Sequence, residues 1–217
     1  MGLSPSETDR FPPEGPFAPA YRLISLALVA LVSIVAFEFM AITTAMPAAA
    51  QELGAVRSYG LAFSVMITLQ VLGIVLAGAW SDLRGPMPAM YAGQLLFAAG
   101  ATVCALAASF PVFLLGRAVT GLGAGLIVVA EYVIIGRVYP PALRPRFFTI
   151  VSAGWVLPSL VGPPISAWLT TSFSWRWVFG IVAVPALVTF TVIASQAGRV
   201  RAGPTPPEQP DQGEPPG

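Results

Sequence analysis

LISLALVALVSIVAFEFMAITTAMP, residues 23–47, is an apolar stretch that only Glu38 interrupts with a charge. At about 1.5 Å of rise per helical residue, it is long enough to cross the roughly 30 Å hydrocarbon core of a bilayer. The whole chain has this character, with 56% hydrophobic residues, 10% charged residues and a mean hydropathy of +0.77 over 217 residues. This composition is far more hydrophobic than that of a water-soluble domain, so we expect the chain to be embedded in a lipid bilayer.

Further stretches of spanning length recur along the chain, separated by Pro, Gly and Arg. They predict six transmembrane helices in all, at about 23–47, 58–81, 88–108, 112–136, 147–171 and 177–196. Residues 1–20 contain Pro, Gly and acidic residues but no apolar signal-peptide core, and residues 199–217 are rich in Pro. We expect both segments to be disordered tails of one membrane domain at 21–198.

The arginines predict how this domain lies in the membrane, because loops near helix ends carry more basic residues on the cytoplasmic side. With both termini in the cytoplasm, eight arginines are cytoplasmic and only Arg57 and Arg176 are outside. We therefore expect a multi-pass protein of the plasma (inner) membrane with two cytoplasmic tails.

Several function classes lack the residues that they require. The chain has no His and one Cys, so the usual constellations for nucleophilic catalysis and for metal binding cannot form. We expect neither enzyme activity nor a metal or other cofactor. A net charge of +1 provides no dense basic surface for phosphates, so nucleic acid is not an expected partner.

Two ionisable residues of opposite charge lie at similar depth in predicted helices one and four. Glu38 is about 12 Å and Arg117 about 9 Å below the outer helix ends, counted at 1.5 Å per residue. They can therefore pair, and each charge then lowers the cost of burying the other. The pair is either a proton-coupling element, in which Glu38 alternates between Arg117 and a proton, or a permanent structural ion pair.

Glu131 is a third ionisable residue within a predicted span, about six residues from the cytoplasmic end of helix four. At that depth we expect it to be solvated or to pair with a loop arginine. The candidate partners are Arg84, Arg144 and Arg146.

Four stretches carry motif-like residues in chain order. FEFMAITTAMP (37–47) places an acidic residue before small and apolar residues and Pro, and GAWSDLRGPM (78–87) has the pattern G-x-x-x-D-x-x-G. FLLGRAVTGLGAG (113–125) combines Arg with closely spaced Gly, and WVLPSLVGPPISAW (155–168) contains Gly-Pro between small residues. Small residues at such spacing permit close helix approach, and Pro permits kinks.

These stretches resemble the motifs of the major facilitator superfamily, specifically of its drug:proton antiporter (multidrug efflux) branch, and SWRWVFGI (174–181) looks like the start of its helix six. The positions that match these motifs are Glu38, the loop 2–3 residues Gly78, Asp82 and Gly85, Arg117 and Gly121 of helix four, and Gly162 and Pro163 of helix five. In the same stretches, Arg84 lies between the family's basic positions, Pro158 stands where the family has Gly, and Gly125 repeats the small-residue spacing of Gly121. In this family the equivalent of Arg117 is implicated in proton coupling.

The resemblance implies an all-α membrane fold in which six helices form a 3+3 inverted repeat, one half of the major facilitator fold. It implies export of amphipathic organic compounds or drugs, driven by the proton gradient. The candidate wall residues of a substrate cavity are Thr43, Thr44, Met66, Gln70 and Trp155.

Six helices are half of the set that such a transporter uses. We therefore expect a truncated or split half-transporter that acts with a second six-helix half, either a separate chain or a second copy. The alternative is a non-transporting membrane subunit, or an inactive remnant, that docks on another integral membrane protein.

Overall fold

The computed structural model describes residues 15, 17–19 and 21–202, so most of the two predicted tails lies outside the described residues. Six helices are long and apolar enough to cross a membrane, and no strand occurs in the described part. The all-α membrane fold is thus confirmed. The helices are α1 Arg22–Glu52, α2 Gly60–Arg84, α3 Pro86–Ala105, α4 Phe110–Val138, α5 Arg144–Ser172, α6 Arg176–Ser195 and a short α7 Ala197–Ala202.

The helix ends differ from the sequence-based bounds where Pro or a short turn is involved. α1 continues through Pro47 to Glu52, because one proline in a membrane helix removes a single hydrogen bond that the surrounding helices make tolerable. α3, α4 and α5 each begin with a proline in their first two positions, where its missing N–H is not needed. α7 extends helical structure to Ala202, four residues into the predicted tail 199–217.

The packing of the six helices falls into two groups of three. α4 packs extensively on α2 and α3, and α1 packs on α5 and α6. α3 and α6 join the two groups, whereas α1 and α4 contact each other at only a few points. If α1, α2 and α3 are equivalent to α4, α5 and α6, the contact of α4 with α2 corresponds to that of α1 with α5. The contact of α4 with α3 then corresponds to that of α1 with α6, as expected for a 3+3 repeat.

The two ends of the bundle are defined by the helices that begin and end there. We name the end with Arg22 and Ser195 the terminal end and the end with Glu52 and Arg176 the far end. At the terminal end, a 2.6 Å hydrogen bond joins the Tyr139 hydroxyl to Ser25 Oγ, and burial raises the pKa of Tyr139. This aromatic residue, just beyond α4, thereby ties α4 to the start of α1.

α2 and α5 are the least buried of the six spanning helices. Each exposes a row of large apolar side chains, for example Val71 and Val75 on α2 and Leu157 and Leu160 on α5. Apolar residues outnumber polar ones on these faces, which suits contact with lipid or with another membrane protein rather than with water.

Candidate functional site

A buried ion pair connects α1 to α4. The Arg117 guanidinium donates through Nη1 to Oε1 of Glu38, and both side chains are almost completely excluded from the surface, at 0% and 1% exposure. The structure therefore brings together the two charges whose depths match in the sequence. Because α1 and α4 touch at few other points, this pair is a main link between those two helices.

Side chains from two further helices complete the surroundings of Arg117. Its Nη2 contacts Sδ of Met66 on α2, and its guanidinium carbon lies 5.9 Å from the ring centroid of Phe179 on α6. An aromatic face attracts a cation at this range, and a thioether is a weak acceptor. Four helices thus meet at one charged centre with apolar walls.

The hydrogen-bonding capacity of this centre is only partly used. Oε2 of Glu38 and Nε of Arg117 are both buried and have no hydrogen-bond partner in the part of the chain that the structure describes. A buried carboxylate with a free oxygen and a buried guanidinium with a free donor are costly, since each loses its water without a full replacement. A change in charge on Glu38 would therefore alter the electrostatic balance of this centre directly.

Glycines of α4 hold this helix against its two neighbours. Any Cβ on Gly121 would lie 3.0 Å from Cα of Met66, and one on Gly125 would lie 2.9 Å from Cα of Gly73, both on α2. On another face, a Cβ on Gly123 would lie 2.5 Å from the backbone nitrogen of Phe97 on α3. The close approach that the spacing of Gly121 and Gly125 predicts is thus present, and α2 is the partner.

Helix α5 packs along α1 through a proline-rich middle. Ser166 Oγ donates a 2.6 Å hydrogen bond to the carbonyl of Ala41, and Pro158 and Gly162 are buried against α1 and its neighbours. A Cβ on Gly162 would find only ordinary contacts of 3.6 Å, so this glycine is not required by close packing. Pro163 is partly exposed.

The predicted loop between helices two and three is a single residue. Gly78 and Asp82 belong to α2, and Gly85 alone joins α2 to α3 with a φ of +79°. The predicted connection at 82–87 is thus shortened to one residue, because the helical hydrogen bonds of α2 continue to Arg84 and α3 begins at Pro86. A left-handed backbone favours Gly at this position, and the exposed Asp82 and Arg84 beside it lie on the surface of the terminal end.

Glu131 does not have the environment that its position along α4 predicts. Its side chain is 2% exposed, Oε1 is buried without a hydrogen-bond partner, and no ion pair reaches it within the described chain. The expectation of a solvated or arginine-paired carboxylate, with Arg84, Arg144 or Arg146, is therefore wrong. Its face of the helix, rather than its distance from the helix end, determines its burial.

The five candidate cavity residues are not gathered around one cavity in this structure. Met66 lies beneath Arg117, Trp155 packs edge-on against Phe39 at 6.5 Å between centroids, and Thr43 bonds to the carbonyl of Met40 in its own helix. Thr44 and Gln70 are partly exposed.

An apolar groove of about 320 Å³ instead lies between α1, α5 and α6. None of the five residues lines this groove. Its walls are Ser33, Ile34, Phe37, Leu157, Pro158, Val161, Ile165, Ile181, Val182 and Pro185.

A polar cluster at the far end was not predicted as a contact. Arg176 pairs with Glu52, donates 2.9 Å to the carbonyl of Ala107, and lies 4.4 Å over the ring of Trp175, whose Nε1 donates 2.8 Å to Glu52. It ties the ends of α1 and α6 to the turn between α3 and α4. The Trp-Arg-Trp sequence at 175–177 was the available signal, but its partners lie far away in the chain. The contact of Phe179 with Arg117 was not predicted for the same reason, because the two residues are far apart in the chain.

Comparison with known proteins gives a consistent result. A family model described as Major Facilitator Superfamily matches residues 28–216. An uncharacterized MFS-type transporter of Mycobacterium tuberculosis is 28% identical over 185 residues, which cover 85% of this chain and 27% of the relative. Multidrug transporter protein MdtP of Bacillus subtilis is 25% identical over 183 residues, 84% of this chain and 34% of that protein. This chain spans about a third of the length of the curated relatives it matches.

Solved structures share the fold at low sequence identity. A crystal structure of a POT family transporter in complex with 5-aminolevulinic acid is 18% identical, with a TM-score of 0.72 over 94% of this chain and 44% of that chain. The crystal structure of a D-xylose-proton symporter is 16% identical, with a TM-score of 0.67 over 83% of this chain and 52% of that chain. At these identities the likeness concerns the fold alone.

Proposed function

The chain belongs to the major facilitator superfamily, and we propose that its six helices are one half of a transporter that exports amphipathic organic compounds in exchange for protons. The second set of six helices is provided either in the same polypeptide or by a separate chain. Alternating access in such a fold is the rocking of one half against the other around a midplane site. The observation that most directly supports this proposal is the buried ion pair of Glu38 and Arg117.

Protonation of Glu38 is the proposed coupling step. A proton on the Glu38 carboxylate removes its negative charge and leaves the Arg117 guanidinium without an anionic partner. The attraction that joins α1 to α4 is then lost at a place where these helices share few other contacts. Release of the proton restores the pair. A proton can in this way change the packing of the two groups of helices.

The apolar faces of α2 and α5 support the proposed partner and substrate. An interface with a second half needs an extended apolar surface at membrane depth, and these two least buried helices offer one. A cavity beside these faces would be mostly apolar with few polar groups, among them Gln70 of α2 and Thr43 and Thr44 of α1, which suits amphipathic compounds. Two relatives from Bacillus subtilis carry multidrug names.

The orientation completes the proposal. The distribution of arginines favours the terminal end as the cytoplasmic one, so both tails would lie in the cytoplasm of a plasma-membrane protein. Glu38 and Arg117 would then lie nearer the outer surface, where protons enter down their gradient.

The test is proton-driven efflux of a lipophilic cationic dye from membrane vesicles that contain the chain, alone and together with a six-helix partner half. We expect efflux that depends on the proton gradient and that Glu38→Gln abolishes. The matched control is Glu52→Gln on the same helix, where the carboxylate is half exposed and far from Arg117. Unchanged proton-coupled efflux by Glu38→Gln would refute the coupling role and leave a structural ion pair.

The alternative function is a membrane subunit that does not transport. The same exposed faces of α2 and α5 favour it, since they can dock on an unrelated integral protein. A chain that gives no dye efflux with any partner half, and that purifies as a stable complex with another membrane protein, would establish this alternative.

A further inference from the structure

Helix α4 carries two buried ionisable residues at equivalent depths. Arg117 lies seven residues after the first residue of the helix, Phe110, and Glu131 lies seven residues before the last, Val138. The 14 residues between them make nearly four turns, so the two side chains leave the helix within about 40° of each other. Both therefore point towards the interior of the bundle, about 21 Å apart along the axis.

The two sites differ in how their charge is compensated. Arg117 has a carboxylate, a thioether and an aromatic ring around it. Glu131 has no hydrogen bond or ion pair with any residue that the structure describes, and its Oε1 is buried. The neighbouring residues Ala130, Ile134 and Ile135 belong to one apolar cluster with Ile24 and Leu28 of α1. The buried residues next to Glu131 on α4 are therefore apolar, and an apolar interior favours an uncharged group.

The other titratable groups on the helices around α4 leave Glu131 without a counter-ion. None of those that the structure describes forms an ion pair or hydrogen bond with it. They are Arg22, Glu38 and Glu52 on α1, Asp82 and Arg84 on α2, Tyr91 and Cys104 on α3, Arg144 and Arg146 on α5, and Arg117, Tyr132, Arg137 and Tyr139 on or just beyond α4 itself. The side chains of Arg199 and Arg201 on α7 lie outside the described residues.

We propose that Glu131 is a proton-binding site, separate from the Glu38–Arg117 pair, that holds a neutral carboxyl group in the closed arrangement of the helices. An isolated carboxylate in an apolar interior loses its hydration without compensation, whereas a carboxyl group loses far less. The proton comes from water when the terminal end of the bundle opens and forms the O–H bond of the carboxyl group. Its release returns a carboxylate and a hydrated proton.

This site deepens the proposed function, on which its physiological role rests. Glu131 is on the terminal half of α4, whereas Glu38 of α1 pairs with Arg117 on the far half of α4, so two proton sites would adjoin α4 on opposite sides of the membrane midplane. With the terminal end in the cytoplasm, Glu131 would be the site that exchanges protons with the cytoplasm. Movement of α4 relative to α1 would then be sensitive to the pH on both sides.

The binding test does not depend on transport. The purified full chain in lipid nanodiscs is titrated through neutral pH and followed by infrared spectroscopy in H₂O and D₂O. We expect a carbonyl band of a protonated carboxyl group, shifted by D₂O, at neutral pH. Glu131→Gln should delete this band, and Glu52→Gln, which changes an exposed carboxylate, should leave it. A band that survives Glu131→Gln, or no such band in the unsubstituted chain, would overturn the proposal.

A second measurement covers the case in which Glu131→Gln folds poorly. Thermal unfolding is followed across pH for the unsubstituted chain and for Glu131→Gln and Glu131→Met. We expect the midpoint of the unsubstituted chain to fall as pH rises, because ionisation leaves an unpaired buried charge, and both neutral variants to lose this dependence. Equal pH dependence in all three would contradict the proposal. Absence of dye efflux alongside these results would count against proton-coupled export and not against the proton site.

Discussion

Replacing Gly125 with Ala tests whether the contact between α2 and α4 is as close as the structure places it. The added Cβ would lie 2.8 Å from the backbone nitrogen of Ile74 and 2.9 Å from Cα of Gly73, and nearer still to the carbonyl of Gln70. Ordinary contacts of a Cβ begin at 3.4 Å, so the helices must separate by at least the 0.6 Å between 2.8 and 3.4 Å. All the obstructing atoms are backbone, which no side-chain rotation can relieve.

The expected cost follows from that separation. A gap of roughly 0.5–1 Å forfeits a quarter to a half of the dispersion energy at each contact. Overpacking of this kind costs about 1–3 kcal/mol. In a chain of this size, a loss of about 2 kcal/mol lowers the unfolding midpoint by roughly 4–8 °C.

The matched control is Gly136→Ala on the same helix, where a Cβ would meet nothing within 4 Å. Both substitutions reduce the conformational freedom of the unfolded chain equally, so their difference isolates the clash. Gly136→Ala should be neutral or stabilising by up to about 1 kcal/mol.

The assay uses the single cysteine of the chain. Cys104 is completely buried in α3, so a thiol-reactive fluorescent dye labels it only as the bundle opens. Purified variants are heated in detergent with this dye, and their midpoints are compared. Equal midpoints for Gly125→Ala and Gly136→Ala would refute the close packing of α2 on α4.

Three further substitutions can be measured in the same assay. Arg117→Met leaves the Glu38 carboxylate buried without its charged partner and should lower the free energy of unfolding by about 3–5 kcal/mol. Adding Glu38→Gln should recover most of that loss. A double variant no more stable than Arg117→Met alone would contradict this prediction. Glu52→Gln breaks only an exposed pair with Arg176 and should cost less than about 1 kcal/mol, so a larger loss would show a stronger far-end link. Gly85→Ala forces a side chain into a φ of +79° and should cost about 1–2 kcal/mol; full stability would mean that the α2–α3 junction relaxes freely.

The pairing of Glu38 with Arg117 was predictable because two quantities are readable from the chain. Each charge sits inside an apolar span, and counting residues from the helix ends gives its depth. Opposite charges at one depth in lipid gain strongly from pairing, and few alternatives exist where charges are rare. The same counting failed for Glu131, since depth does not determine which face of a helix meets the bundle interior.

The glycines of α4 show a similar division. Their spacing predicts a close approach of another helix, because small residues four apart line one face. The sequence does not identify the helix that approaches, because α4 has small residues on more than one face. The structure assigns Gly121 and Gly125 to α2 and Gly123 to α3. It also assigns Met66 and Phe179 to Arg117, contacts between residues more than fifty positions apart.

The sequence by itself determined that this is a membrane bundle of six helices with two opposite charges at one depth. Hydrophobicity and span length act locally, so each helix carries its own evidence. Only the tertiary structure decided that Glu131 is buried with no partner among the described residues, that Gly85 alone joins α2 to α3, and that Arg176 reaches Glu52 and Ala107. Those outcomes depend on how rigid helices rotate and cross, which is decided by the summed packing of the whole bundle.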